Sequence, residues 1–190
     1  WLVDGKRFLW GSERTGWKHF ELWDTSGKRH AVLSEGSYPS GSLVKVDEDS
    51  GWVYFTAFSS DVKISQQLHR ARLDGSKHEI LTGDDLHYGD FEISPNDDYF
   101  IAQAQSYRNP PVTLLFDMKQ NRLALLADSD ASKMTELGVT PAEMFTFKAD
   151  DGTTDLYSER GWRPGSDTLS FAADDNKAVA ALYITRAGVQ

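Results

Sequence analysis

Along most of the chain, apolar residues recur at every second position in runs of strand length, cut by short clusters rich in Asp, Gly, Asn, Ser and Pro. Such alternation puts one set of side chains on each face of a pleated strand, and the clusters supply turns. Residues 72–83, RLDGSKHEILTG, read as strand, Asp-Gly turn, strand and turn; residues 22–36, LWDTSGKRHAVLSEG, and 115–128, LFDMKQNRLALLAD, carry the same order of parts. In WVYFTAF (52–58) aromatic and β-branched residues occupy both parities, which predicts a strand packed between two neighbouring sheets. FEISPNDDYFIA (91–102) sets Pro95 and Asn96-Asp97 between two apolar runs. There Pro presets φ, and Asn or Asp tolerates the left-handed region.

Aligned on these hairpins, the chain shows three units with a period of roughly 45 residues. Each has an alternating strand, an acidic turn, a Trp- or Tyr-led strand, a polar excursion, and a hairpin whose turn carries Asp with Gly or Asn. Four short strands per unit is the signature of a propeller blade. An all-β sandwich is the alternative with similar strand spacing, but it would not repeat the order of turn types. The expected fold is therefore all-β, a partial β-propeller over residues 1–130 with blades at about 1–38, 39–83 and 84–130. A linker follows at 131–142, with a short helical stretch around Met134 to Leu137 ended by Gly138 and Pro141. From 143 a hairpin about Asp150-Asp151-Gly152 and a buried strand within 176–190 begin a second domain.

Composition narrows the partners. With 20 Lys+Arg against 29 Asp+Glu, the formal charge of −9 repels phosphate backbones, so nucleic acid is not expected. Cysteine is absent, which excludes disulfides, thiolate metal sites and a cysteine nucleophile. The longest apolar run, AVAALYI (178–184), is strand-sized, so no membrane segment is expected in this chain. The opening WLVDGKRFLW has neither an initiator Met nor a signal-peptide pattern, and reads as a cut within a longer protein.

Candidate chemistry is sparse. No Gly-x-Ser occurs, so the Gly-x-Ser-x-Gly nucleophile elbow of α/β-hydrolases is missing, and Ser37 and Ser166, each directly after a glycine, read as turn serines. His19, His30, His69, His78 and His87 are expected to be spread around an arc without converging, and no His-x-x-x-His spacing suggests a metal. VDEDSG (46–51) reads as a solvated turn rather than a calcium loop, and GDDLHYGD (83–90) as a linker between units in which His87 lies beside Asp85 and Asp90. Trp17, directly after Gly16, invites a stacking-platform reading. No cofactor is expected. In SYRNPPVTLL (106–115) the tandem prolines cannot donate to a ladder, so the loop should bulge outward.

Several of these stretches, in their order, resemble the dipeptidyl peptidase IV branch of the prolyl oligopeptidase serine peptidases. They are SERTGWKHFELWD (12–24), GWVYFTAF (51–58), LHRARLDGSKHEILT (68–82), FEISPNDDYFI (91–101), SYRNPPVTLL (106–115) and AEMFTFKADDGTTDLY (142–157). The resemblance implies an eight-bladed propeller joined to an α/β-hydrolase domain, of which residues 143–190 would be an incomplete start. It also implies an enzyme that removes N-terminal dipeptides from peptide substrates, and a cavity that Tyr107 and Arg108 could face. Tyr183 would be the oxyanion donor, although Arg186-Ala187-Gly188-Val189 stands where the family has Gly-Pro. The family's adjacent glutamates that clamp the substrate amine are missing, so this chain alone should not hydrolyse peptides. Homodimerisation and an extracytoplasmic or periplasmic setting are suggested by the resemblance alone. Two readings compete: a non-catalytic propeller module that binds a protein partner, and a truncated homologue that has lost activity.

Overall fold

Apolar residues crowd both parities of residues 52–58, and the fold is organised around that stretch. A computed structural model describes residues 1–59, 65–106 and 108–138, together with the backbone of strands at 143–148, 155–163, 166–173 and 181–183. Strands β1 (Arg7–Ser12), β2 (His19–Asp24) and β3 (Arg29–Val32) form one antiparallel sheet. A second sheet holds β4 (Ser40–Asp47), β5 (Trp52–Ala57), β6 (Gln67–Arg72) and β7 (His78–Ile80). A third holds β8 (His87–Ile93), β9 (Tyr99–Gln105), β10 (Val112–Asp117) and β11 (Arg122–Ala127). All three are meanders in chain order, and the first has three strands where four were expected. By the position of their turns, β1 to β3 correspond to β5 to β7 and to β9 to β11.

All six residues of β5 are buried, because the second sheet is covered on both faces. Val53, Phe55 and Ala57 join Phe20, Leu22, Ala31 and Leu33 of the first sheet's region and Ala71 and Leu73 in one core. Trp52 and Tyr54 point the other way, into a core with Leu68, Leu81, Tyr88, Phe100, Ala102, Ala104, Leu114 and Phe116. The two-residue period of the strand thus divides one segment between two hydrophobic layers. Phe20 meets Phe55 edge-on at 5.6 Å, and Phe100 stacks on Phe116 at 5.0 Å. Fully burying one such side chain contributes about 1.5–3 kcal/mol, so these two seams dominate the folding free energy of this part.

The hairpin turns explain the sequence echo. In the β2–β3 turn the Asp24 carboxylate accepts from the N–H groups of Ser26 and Lys28, and Gly27 sits at φ 83°. In the β10–β11 turn Asp117 accepts from Lys119 and Asn121 in the same way, with Gln120 at φ 73°. The two turns are one design, with a non-glycine residue carrying the left-handed conformation in the second. The 72–77 turn is one residue longer: Gly75 N–H donates to the Arg72 carbonyl, as Gly27 does to Asp24 and Gln120 to Asp117, but the Arg72 N–H closes on the Lys77 carbonyl, five residues on rather than four.

Contacts divide the chain into two compact units, residues 1–104 with 112–127 and residues 105–111 with 128–190. In the second unit a short helix, α1 (Ser132–Glu136), ends on Gly138 at φ 66°, as the sequence suggests. Beyond it β12 (Glu143–Lys148), β13 (Asp155–Arg163), β14 (Ser166–Ala173) and β15 (Ala181–Tyr183) form a four-stranded antiparallel meander. The expected hairpin is β12–β13, with Glu143 opposite Arg160 and Lys148 opposite Asp155. Its Asp150-Asp151-Gly152 turn lies outside the described residues. The expected strand within 176–190 is described only at 181–183, and β14 was not foreseen.

Candidate functional site

The polar side chains that the fold buries lie mainly in two seams between sheets. Between the first and second, His19 enters from β2, His69 from β6 and His78 from β7, and Tyr38 enters from the connector that leads to β4. This corrects the expectation of dispersed histidines. His69 Nδ1 lies 2.8 Å from His78 Nε2, and the rings stack at 5.0 Å. Tyr38 stands edge-on to His19 at 5.7 Å and tilted over His69 at 5.8 Å. His30 remains apart, paired with Asp24 at 2.8 Å, and the His87 ring accepts from the Gln66 N–H at 3.3 Å.

Register brings the pair together. Two strands joined around Asp74-Gly75 place Ala71 opposite His78 and His69 opposite Ile80, so both imidazoles occupy one face of the hairpin as diagonal neighbours. His69 is fully buried, and burial, reinforced by His78, pushes its imidazole down to about 3. His78 is exposed at the rim, and the partial desolvation it suffers there lowers it, with Glu35 and Glu79 opposing the shift. The other nitrogen of His69 lies 2.7 Å from Ser59 Oγ. A serine on an imidazole resembles the start of a nucleophilic relay, but a base held near 3 is too weak to activate a hydroxyl at neutral pH. His19 is likewise committed: in the neutral ring Nε2–H donates to the Gly36 carbonyl at 3.0 Å, which leaves Nδ1 to accept from Ser34 Oγ at 3.2 Å. An open pocket beside this seam is lined by Ala31, Leu33, Glu35, Asp74, Gly75 and His78.

Between the second and third sheets, Lys45 Nζ donates to Asp97 Oδ1 at 2.6 Å. Burial and a hydrogen bond with Asp47 raise Asp97 above the ordinary carboxylate range, while that same bond holds Asp47 below it. The solvated turn expected at 46–51 is thus tied through Asp47 to the next sheet. Asp97 adopts φ 54°, the left-handed conformation expected of it in the 91–102 turn. Nearby, the Arg70 and Arg72 guanidiniums each stand 4.3 Å from the Trp52 ring centroid, and Arg70 also pairs with Glu79 at 2.7 Å. On the far side of the first sheet, burial pushes the Glu21 carboxyl up, and hydrogen bonds from Arg14, Trp23 and Arg29 outweigh it to hold the group ionised.

Of the residues singled out for a substrate cavity, Arg108 is the one whose side chain is described. Arg108 is exposed in the 106–111 loop, where Ser106 Oγ accepts from the N–H groups of Arg108 and Asn109. Tyr107 lies outside the described residues, and so does the side chain of Tyr183, whose backbone ends β15. Trp17 is half-buried. Among the described residues no group of three or more His, Asp and Glu stands close enough to hold a metal ion, and no helix is long and apolar enough to cross a membrane.

Comparison with known proteins bears on the whole arrangement. A family model described as the dipeptidyl peptidase IV (DPP IV) N-terminal region matches residues 1–111. The dipeptidyl peptidase 4 proteins of Trichophyton equinum and Trichophyton rubrum are each 24% identical over 158 residues, covering 80% of this chain and 20% of theirs. The crystal structure of Porphyromonas gingivalis dipeptidyl peptidase 4 superposes with a TM-score of 0.68 at 23% identity, covering 87% of this chain and 24% of that one. The chain thus spans about a fifth of the length of the curated relatives it matches. At that identity the likeness to the solved structure establishes the fold.

Proposed function

Because the chain belongs to the family of dipeptidyl peptidase IV N-terminal regions, we propose that its first three sheets are successive blades of a β-propeller that walls and gates the substrate cavity of a dipeptidyl-peptidase-like serine exopeptidase. The observation that carries this reading is β5, buried along its whole length and divided between two cores, as a blade flanked by blades requires. The nucleophile, base and orienting carboxylate would stand on a hydrolase domain, since no Gly-x-Ser elbow occurs here. Within this reading Tyr107 and Arg108 face the cavity, and Tyr183 donates to the oxyanion where the propeller gives way to the hydrolase. The support for these three roles is their place in the matching motifs.

The test uses the complete product of the parent gene beside this chain. The complete protein should be labelled by a fluorophosphonate and should release dipeptides from chromogenic substrates, while this chain takes no label. A labelled serine within residues 1–190 would overturn the assignment, and so would a complete protein that neither labels nor cleaves. That second outcome would favour a propeller that binds a protein partner.

A further inference from the structure

We propose that the His69–His78 pair is an acid-sensitive latch within the β6–β7 hairpin, at the seam with the first sheet, one that accepts a single added proton in place and parts when a second arrives. The argument is a proton count. Two imidazole nitrogens 2.8 Å apart have room for one hydrogen between them. With both rings neutral, that hydrogen belongs to either ring and the contact is an ordinary N–H···N bond. One added proton goes to an outer nitrogen. On His69 it makes Nε2–H a donor to Ser59 Oγ, and on His78 it goes to Nδ1. The inner hydrogen bond survives and becomes charge-assisted. A second added proton puts hydrogens on both inner nitrogens, which cannot face each other at that separation, so the rings must move apart.

The surroundings make this a seam event. Tyr38 wedges between His19 of the first sheet and His69 of the second, and the Phe55 ring stacks on His78 at 5.8 Å. Separating the imidazoles therefore disturbs the core that joins the sheets. The charged and titratable groups around the pair are His19 from β2, Glu35 and Tyr38 from the β3–β4 connector, Asp74 from the 72–77 turn, and Glu79, itself held by Arg70 and Lys77. The carboxylates of Glu35 and Glu79 favour the first proton on the rim ring, His78. His69 lies behind it, away from water.

The direction of the pH dependence follows. His69 is depressed in the folded chain, to about 3, whereas it protonates near 6.5 when unfolded. Its contribution is fully present above pH 6.5 and is lost progressively as pH falls toward about 3, because only the unfolded chain takes up that proton. Each proton so withheld lowers the folding equilibrium constant by about tenfold per pH unit.

Imidazole 15N–1H correlation spectra of the whole chain, titrated from pH 8 to 3 beside urea unfolding, provide the test, and the hydrogen bond between the rings should be lost at the acid end. The spectra should show one hydrogen between His69 and His78 and a single protonation event shared by the two rings. The unfolding constant of the wild type should rise about tenfold more per pH unit below 6.5 than that of His69→Gln. Equal slopes in the two proteins would overturn the proposal, and so would two rings that titrate independently near 6.5. If His69→Gln does not fold, the wild-type spectra decide alone.

Discussion

Replacing Gly41 with alanine should destabilise the second sheet through a single collision. Gly41 lies in the β4–β5 irregularity, where register shifts between the Ser40–Ala57 and Leu43–Phe55 pairs. A Cβ built there falls 2.2 Å from Thr56 Oγ1, and that oxygen is already occupied, accepting from the Ser42 N–H at 2.9 Å. Gly41 is not in the left-handed region, so the cost is steric. Thr56 is buried and its hydroxyl must turn away, which orphans the Ser42 donor. Overpacking costs about 1–3 kcal/mol and the lost hydrogen bond about 0.5–1.5, offset by about 0.4–1 from the stiffer unfolded chain, so a net loss of about 2–3 kcal/mol is expected. A double-mutant cycle monitored by urea unfolding and Trp fluorescence isolates the collision. On a Thr56→Ala background Gly41→Ala should cost under about 0.5 kcal/mol, giving a coupling near 2 kcal/mol. On a Thr56→Val background, where a methyl takes the hydroxyl's place and the Ser42 hydrogen bond is already gone, the steric part of the cost, about 1–3 kcal/mol, should remain. Additive losses in the Thr56→Ala cycle would refute the reasoning.

Three further outcomes are expected. Phe100→Ala removes one ring of the buried Phe100–Phe116 stack and should cost about 3–5 kcal/mol, read as a lower urea midpoint. Asp97 is held above the ordinary carboxylate range, so its share of stability is present below pH 3.8 and is lost as pH rises through its folded value. Asp97→Asn should therefore compare more favourably with the wild type at pH 7 than at pH 4, with unfolding midpoints at the two pH values as the check. If the proposed peptidase reading holds for the complete protein, Arg108→Ala there should change kcat/KM for long peptides while leaving dipeptidyl anilides untouched, and Tyr183→Phe should lower kcat by about 10²–10³; equal effects across peptide length, or an unchanged kcat, would remove those proposed roles.

The sandwiched strand was legible because residues 52–57 are apolar on both parities, a pattern that only a doubly covered strand supports. The equivalence of the β2–β3 and β10–β11 turns was visible in the placement of Asp24 and Asp117. Gln120 was not, because nothing about glutamine announces φ 73°. The histidine cluster was missed for want of register. Closing Asp74-Gly75 as a tight turn pairs Ala71 with His78, which already puts His69 and His78 on one face. Tyr38 and His19 join them only through packing of one sheet on another, which strand periodicity does not encode. The Asp47–Asp97 pair bridges two sheets in the same way, and each residue in isolation reads as an ordinary turn carboxylate.

The central claim is that consecutive antiparallel sheets stack face to face over residues 1–127, and nuclear Overhauser contacts in the intact chain test it most directly. Backbone contacts should join Val53 to Ala71 and Phe55 to His69 within the second sheet, and ring contacts should join Phe20 to Phe55 across the seam. No backbone ladder should link β3 to β4. A continuous ladder across that border, or Phe20 and Phe55 rings without mutual contacts, would contradict the stacked arrangement and the propeller reading built on it.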